Sequence, residues 1–254
     1  KMQCWQDIVP ETETIGSRFL PPEGYQRLTA DSSSFAWYLQ HLPLKEEGTN
    51  VRYYDGRIKP NSFVAAAVIG IPLGQKDLQQ CADAIIRIRA EYLRTSGQEE
   101  RIAFHFTNGT TAVWEKWKNG YRCDVSGNRV KWEKNCAYSD SDETFSDYLE
   151  TVFMYSGTLS LEKELEAVSV DSIMPGDVFI EGGSPGHAVL VVDVAVHPDG
   201  SRSFILAQGY MPAQDIHIII NPNRPEISPW YILSVGEELH TPEWHFGKDA
   251  LKRF

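Results

Sequence analysis

Residues 175–210, PGDVFIEGGSPGHAVLVVDVAVHPDGSRSFILAQGY, decide the fold of this chain. Two clusters of glycine, proline and serine, at 182–186 and 198–201, divide the stretch into three segments. Such punctuation between apolar runs predicts three short strands joined by two turns. The middle run, residues 188–196, is almost wholly apolar and β-branched, which is typical of a strand buried on both faces. His187 opens that strand, so a titratable imidazole is expected at the edge of the core.

Size and composition favour a single folded domain. The chain has 254 residues, of which 42% are hydrophobic, and no linker or internal repeat divides it. We therefore predict one α+β domain over residues 1–254, with a mainly antiparallel sheet. Within it we expect an irregular N-terminal arm at 1–30, an aromatic-rich insertion at 110–140 and a C-terminal tail at 221–254 that wraps the outside.

Charge and patterning exclude several partners. The formal net charge is −11 and the basic residues are scattered, so no nucleic-acid partner is expected. No apolar run approaches the roughly 20 residues that cross a bilayer, so no transmembrane span is expected. No cofactor or metal is predicted either, because His240 and His245, with Glu243 between them, lack a further well-spaced ligand. The sequence is silent on the oligomeric state.

The clearest predicted helix carries a cysteine. Asp77, followed three residues later by Gln80, resembles a capping box. With that start, Cys81 lies about one turn inside the helix and faces the sheet that the helix covers. Apolar residues at helical spacing define the buried stripe: Leu78, Cys81, Ala82, Ile85, Ile88 and Tyr92.

Cys81 and His187 together suggest nucleophilic catalysis. A cysteine attacks carbonyl groups well when a helix N-terminus and a nearby imidazole lower its pKa and accept its proton. If the helix packs on the sheet that bears His187, the thiol and the imidazole meet where helix and sheet join. Each residue also has a structural interpretation, Cys81 as an inert core cysteine and His187 as a strand-end histidine bonded into a turn.

The segment PGDVFI…GHAVLVVDV resembles the PGD…GHVGIV stretch of NlpC-type and CHAP-type cell-wall amidopeptidases. In those enzymes the histidine opens a core strand and the cysteine lies earlier, on a helix, in a papain-like layout. The resemblance implies a papain-like core and a cysteine peptidase or amidase, with cell-wall peptides as a substrate class. One departure is that Gln80-Cys81-Ala82 replaces the polar Asp-Cys-Ser-like sequence, which has the cysteine at the helix tip.

The chain as a whole resembles an uncharacterised family of secreted bacterial proteins. The likeness spans roughly residues 15 to 254 and rests on four segments: the helix at 77–93, SPGHAVLVVDVA at 184–195, YMPAQDIHI at 210–218 and TPEW at 241–244. It implies a location outside the cytoplasm, in the periplasm or at the cell surface. No leader segment is present in this sequence.

Two glutamines are candidates for orienting the imidazole. If the second turn is centred within PDGS, His187 faces about residue 212, and Gln214 is its diagonal neighbour. By the same count Gln208 lies about four residues away, but its position in the NlpC-like pattern favours it. Gln208 and Gln214 therefore both stay open as orienters of His187.

An oxyanion hole requires hydrogen-bond donors near the nucleophile. Backbone N–H groups at the start of the cysteine helix are suitable donors. Gln75, six residues before Cys81, has the papain-type spacing of a side-chain donor and is the candidate for that role.

A non-catalytic function fits the same scaffold. A binding protein of the cell envelope would use the groove and the tryptophans of the insertion, such as Trp114 and Trp132, to hold cell-wall glycan or peptide. The insertion also carries Cys123 and Cys136, which flank a predicted hairpin. They are either an oxidised pair or two separate thiols.

Overall fold

The structure, a computed structural model, describes residues 13–254. Its α-helices are α1 (Ile15–Arg18), α2 (Phe35–Gln40), α3 (Cys81–Thr95), α4 (Trp114–Lys118), α5 (Asp142–Tyr155) and α6 (Thr158–Glu164). Its strands are β1 (Gln26–Arg27), β2 (Ala65–Val68), β3 (Ala103–His105), β4 (Thr111–Val113), β5 (Tyr121–Ser126), β6 (Arg129–Lys134), β7 (Glu166–Ala167), β8 (Val178–Glu181), β9 (His187–Val196), β10 (Arg202–Gln208), β11 (His217–Ile219), β12 (Trp230–Ile232), β13 (Leu239–His240), β14 (His245–Phe246) and β15 (Leu251–Arg253).

One large sheet organises the described part of the chain. Its strand order is β2-β11-β10-β9-β8-β15-β7, with β1 paired to β9 and β12 paired to β10. The strand pairs of this sheet run antiparallel. The fold is therefore mixed α and β with a mainly antiparallel sheet, as the sequence predicted.

The three strands predicted in residues 175–210 are β8, β9 and β10. Every residue of β9 except Val196 is buried, because both faces of the sheet are covered. On one face Ala188 and Leu190 join a core that includes α2, α3 and α5, and on the other Val189 and Val191 join a smaller aromatic core. A buried central strand thus fixes the position of His187 at its first residue.

Helix α3 begins later than the sequence predicted. Its N-cap is Gln80, whose backbone N–H donates to Oδ2 of Asp83 at 3.0 Å, so that Cys81 is the first helical residue. Asp77 was expected to cap the helix, but its Oδ1 instead accepts the backbone N–H of Ala213 at 2.7 Å. The Asp77 carboxylate is thus engaged in a tertiary hydrogen bond instead of capping the helix. Cys81 therefore lies at the tip of α3 rather than one turn inside it.

Residues 13–30 and 221–254 contain strands of the main sheet, which the sequence did not predict. The predicted irregular arm, residues 1–30, contains α1 and β1, and residues 1–12 lie outside the described residues. β1 pairs with the end of β9, where Arg27 forms an ion pair with the buried carboxylate of Asp193 at 2.7 Å. The tail at 221–254 does more than wrap the outside, since it contributes β12 and β15 to the main sheet.

The aromatic-rich insertion at 110–140 forms β4, α4 and the β5–β6 hairpin. Trp114 is fully buried and packs on the ring of Tyr148, so it belongs to the core and offers no surface for a saccharide. In the hairpin Cys123 pairs with Trp132, and Cys136 lies beyond the end of β6, so the two cysteines are not cross-strand partners. Cys123 and Cys136 are both free thiols.

No helix within residues 13–254 is both long enough and apolar enough to cross a membrane.

Candidate functional site

Cys81 lies at the N-terminus of α3, where the helix meets the sheet. Backbone N–H groups of Ala82 and of Ala188, the second residue of β9, lie close enough to the thiol to favour its charged form. The helix tip approaches the sheet closely because Gly209 follows β10: a Cβ there would lie 2.9 Å from the carbonyl oxygen of Gln80. The sulfur is thereby held beside the first residues of the central strand.

His187 lies at the start of β9 and is enclosed by aromatic rings. Its ring centroid is 4.7 Å from that of Tyr210, 5.5 Å from that of Trp244 and 5.9 Å from that of Phe246. Only 2% of the residue is exposed to solvent. The imidazole therefore has little freedom to rotate, and it lines the cleft described next.

Cys81 and His187 line the same cleft, which has a volume of about 790 Å³. Its walls come from the start of α3, the end of α5, the start of α6, the turn before β9 and the segment after β10. None of the described residues that line the cleft is a lysine or arginine. Most of its large side chains are apolar: Leu78, Phe153, Met154, Leu159, Met211 and Trp244. Of the residues predicted for the site, this cleft brings together the cysteine and the histidine.

Gln208 is the glutamine that contacts the imidazole, with its Oε1 2.8 Å from Nε2 of His187. The expected register was wrong, because the turn after β9 is tighter and β9 has a bulge at Val192, opposite the step from Ile205 to Leu206. After the bulge Leu190 pairs with Ala207, and continuing the ladder brings His187 opposite Tyr210 instead of residue 212. This shift moves Gln208 into hydrogen-bond range.

Gln214 and Gln75 lie away from this contact. Gln214 is 1% exposed and bridges to Tyr53, and neither of its amide atoms has a hydrogen-bond partner within residues 13–254. Gln75 is exposed and is not among the residues that line the cleft. The side-chain amide at the cleft is that of Gln80, whose Nε2 lies 3.2 Å from Oδ1 of Asp77.

One family model matches nearly the whole of the given sequence. Residues 15–253 match the model of the family described as domain of unknown function 4846. The chain belongs to that family. No curated protein and no solved structure matches it. Membership of the 4846 family carries no activity with it, so the function must be argued from the site.

Burial dominates the electrostatics of the site in this member of the 4846 family. It raises the pKa of the Cys81 thiol to about 11, with a further contribution from the nearby Asp83 carboxylate. Burial also lowers the pKa of His187 to about 4, against the hydrogen bond that the ring donates to Gln208, which raises it. At neutral pH the pair is therefore a thiol and a neutral imidazole rather than a thiolate and an imidazolium.

Asp83 is a buried acid in the wall of the cleft. Its Oδ2 accepts the N–H of Gln80, whereas its Oδ1 has no hydrogen-bond partner within residues 13–254. Burial raises the pKa of Asp83 to about 8, which outweighs the hydrogen bonds from the backbone. The side chain is thus mainly a neutral carboxylic acid at pH 7.

Three further residues near His187 were not predicted from the sequence: Lys59, His217 and Glu243. They are linked to the imidazole through the amide of Gln208. Glu243 accepts a hydrogen bond from Nε2 of Gln208 at 2.7 Å and pairs with Lys59 at 2.7 Å. His217 contacts the same amide at 3.2 Å. The TPEW segment contained the signal for Glu243, but residues this far apart in sequence meet only in the folded sheet.

Within residues 13–254 no three His, Cys, Asp or Glu side chains group closely enough to hold a metal ion. The rings of His240 and His245 are 4.3 Å apart, but Glu243 between them turns inward to Lys59 and Asn61.

Proposed function

We propose that this protein is a cysteine hydrolase of amide bonds with a papain-like site, in which Cys81 is the nucleophile and His187 the general base. The observation that carries the proposal is that the two side chains line one open cleft, the cysteine at a helix N-terminus and the histidine at the start of a strand. Gln208 holds Nε2 of the imidazole, which leaves Nδ1 for the cleft. Among residues 13–254, no hydrogen bond engages Nδ1.

In the first step Sγ of Cys81 attacks the carbonyl carbon of the scissile amide, and its proton passes to Nδ1 of His187. Because the resting pair is neutral, proton transfer accompanies the attack instead of preceding it. The carbonyl oxygen becomes an oxyanion. Backbone N–H groups of the first turn of α3 have no intrahelical acceptor and are positioned to stabilise that charge, with the Gln80 amide as a side-chain donor.

In the second step the C–N bond breaks and the His187 imidazolium gives its proton to the leaving nitrogen. The amine departs, and the acyl group stays on Cys81 as a thioester. His187, neutral again, takes a proton from water, whose oxygen attacks the thioester. The acid product leaves, and the sulfur regains a proton from the imidazolium.

The cleft favours peptides over strongly anionic substrates. Its described lining contains no cationic side chain, and its acids are Asp77 and Asp83. A phosphate or polycarboxylate would find no counter-charge there, whereas apolar groups would pack on Met154, Met211 and Trp244. Cell-wall peptides fit this chemistry, and with them we propose a location in the periplasm or at the cell surface.

Release of soluble fragments from purified cell-wall sacculi tests the proposal. We expect Cys81→Ala and His187→Ala each to reduce the initial rate by at least about 10³-fold. Cys123→Ala, which removes a partly buried thiol in the β5–β6 hairpin, is the matched control and should release fragments at the wild-type rate. Undiminished release by Cys81→Ala would refute the hydrolase.

A second candidate is a non-catalytic protein that binds cell-wall peptide or glycan in the same cleft. The raised pKa of Cys81 favours it, because a protonated resting thiol is a weak nucleophile. Binding would use the cleft wall around Trp244 rather than the buried Trp114. Wall fragments would then raise the melting temperature of wild type and Cys81→Ala equally, while neither protein cleaves them.

A further inference from the structure

The amide of Gln208 is surrounded by three hydrogen-bonding side chains. Its Oε1 lies 2.8 Å from Nε2 of His187, and its Nε2 lies 2.7 Å from Oε2 of Glu243 and 3.2 Å from Nε2 of His217. Gln208, His187 and His217 are each exposed by 2% or less. Because water is largely excluded, the orientation of the amide must satisfy all three contacts at once.

The proton on His217 has a defined position. Its Nδ1 lies 2.9 Å from the backbone carbonyl oxygen of Asp215, which can only accept a hydrogen bond. Nδ1 must therefore carry the proton. Burial lowers the pKa of His217 to about 4, so the ring is neutral at pH 7 and its Nε2 is an acceptor. That acceptor faces the Gln208 amide.

Glu243 presents a second acceptor to the same end of the amide. Nζ of Lys59 lies 2.7 Å from each carboxylate oxygen, and Nδ2 of Asn61 lies 2.9 Å from Oε1. Burial alone would raise the pKa of Glu243, but the hydrogen bond and charge of Lys59 outweigh it and the pKa lies below its usual value. The group is thus a carboxylate, which only accepts hydrogen bonds.

Two acceptors side by side allow one orientation of Gln208. Its NH₂ end must face Glu243 and His217, since a carbonyl oxygen there would be repelled by the carboxylate and would leave Nε2 of His217 without a donor. The Oε1 end must then face His187. An oxygen acceptor at Nε2 of His187 requires that this nitrogen carry the proton.

We infer that Glu243 and His217 are positioning residues that act through Gln208 to hold the proton of His187 on Nε2 and the free electron pair on Nδ1, toward the cleft. Two histidines on one glutamine consequently have opposite tautomers, Nε2–H for His187 and Nδ1–H for His217. The catalytic consequence, a base already poised to take the Cys81 proton, rests on the function proposed above. The tautomers themselves do not.

The charged and titratable groups around His187 agree with this assignment. Glu243, Lys59 and His217 lie behind Gln208, while Tyr210 packs on the ring. The Tyr210 hydroxyl donates to the backbone oxygen of Glu243 at 3.4 Å and not to the imidazole. Gln208 is therefore the group that selects the tautomer of His187.

Nuclear magnetic resonance of protein labelled with ¹⁵N-histidine tests the inference without any substrate. At pH 7 the two-bond ¹H–¹⁵N correlations should show a protonated Nε2 in His187 and a protonated Nδ1 in His217, each assigned by its loss in His187→Gln or His217→Gln. The inference would be overturned if both rings carried the proton on the same nitrogen, or if Nδ1 of His187 were protonated.

The variants separate orientation from folding. Glu243→Met alone leaves Lys59 buried without a partner, so it is paired with Lys59→Met, a replacement of a buried ion pair by apolar side chains that folded proteins often tolerate. In the double variant the amide can rotate, and a population of His187 with its proton on Nδ1 should appear. Glu243→Gln keeps an acceptor oxygen for the Gln208 NH₂ and should retain the single tautomer. An unchanged tautomer in the double variant refutes the role of Glu243.

Kinetics then report on the catalytic consequence separately. If the protein hydrolyses wall peptides, the double variant should lose about 10- to 100-fold in kcat, the range for groups that orient a histidine from behind, with KM unchanged. A raised KM with an unchanged kcat would contradict a positioning role. If no variant hydrolyses any peptide, the proposed function fails while the tautomer result still stands or falls on its own.

Discussion

His187 and His217 contact opposite ends of one amide, that of Gln208, at 2.8 Å and 3.2 Å. Six residues later, Gln214 is equally buried, but its two amide atoms have no hydrogen-bond partner within residues 13–254. Gln208 and Gln214 are thus equally buried glutamines of the described part of the chain, one with both amide atoms bonded and one with neither. They form a matched pair for mutation.

Replacing each glutamine by leucine should give opposite results. Gln208→Leu leaves Nε2 of His187 and Nε2 of His217 without a partner and removes one hydrogen bond from Glu243, so the free energy of unfolding should fall by at least about 2 kcal/mol. Gln214→Leu removes two unsatisfied buried groups and should leave the stability unchanged or raise it by about 1 kcal/mol. Urea unfolding followed by tryptophan fluorescence measures both. Equal stabilities for the two variants would contradict the network.

Alkylation of Cys81 should need a high pH. Because burial raises the pKa of the thiol to about 11, the rate of its reaction with iodoacetamide should keep rising well above pH 8.5, where an ordinary thiol is half ionised. Mass spectrometry of peptides compares Cys81 with the exposed Cys136 in the same sample. A Cys81 rate that levels off below pH 8 would mean that the resting pair is ionised and that proton transfer precedes attack.

Asp83→Asn should change how stability depends on pH. In the wild type the folded protein keeps a proton on Asp83 that the unfolded chain releases, since burial raises its pKa from 3.8 to about 8. The stability from this group is fully present below pH 3.8 and is lost as the pH rises through about 8. The variant lacks that loss and keeps an acceptor for Gln80, so its advantage should grow with pH to a few kcal/mol at pH 8.

Denaturant unfolding between pH 4 and pH 8 checks the Asp83 prediction. The informative quantity is the difference between variant and wild type at each pH, because other titrating groups cancel. The same variant should also react with iodoacetamide at a lower pH, since the Asp83 charge contributes to the raised pKa of Cys81. A difference in stability that is constant across the range would show that Asp83 is ionised in the folded protein.

Gly209→Ala should disturb the join between α3 and the sheet. Its Cβ would lie 2.9 Å from the Gln80 carbonyl oxygen and 3.0 Å from the Ala84 Cβ, so the helix tip that carries Cys81 must move. We expect a loss of about 1–3 kcal/mol in unfolding free energy and a faster alkylation of Cys81. Gly74→Ala, where nothing lies within 4 Å of the added carbon, is the control. Identical behaviour of the two variants would mean that the contact is loose.

Local pattern was sufficient to predict the centre of the fold. The turn clusters and the apolar run delimit β8, β9 and β10, because strand burial and turn chemistry are properties of neighbouring residues. The start of α3 was predicted too early, since the hydrogen bond that engages Asp77 comes from Ala213, far away in sequence. Local capping rules have no access to that competitor.

The meeting of Cys81 and His187 in one cleft was predictable from the sequence, whereas the surroundings of the two residues were not. Cys81 and His187 follow from an amphipathic helix and a buried strand, and the structure lines one cleft with both. The choice between Gln208 and Gln214 depended on strand register, which the bulge at Val192 in β9 changes. Register set by a bulge is a tertiary property, and so is the approach of Glu243.

The position of Glu243 between β13 and β14, near residue 254, matters for synthesis and for proteolysis of the chain. A chain cut by a protease just before Leu239 would still contain the thiol, the imidazole and the glutamine, yet nothing would pin the amide on its carboxylate side. On the ribosome, too, those groups emerge well before residue 243 does. The network around Gln208 is therefore completed late in synthesis, and a single cut before Leu239 would separate its carboxylate from the rest of the chain.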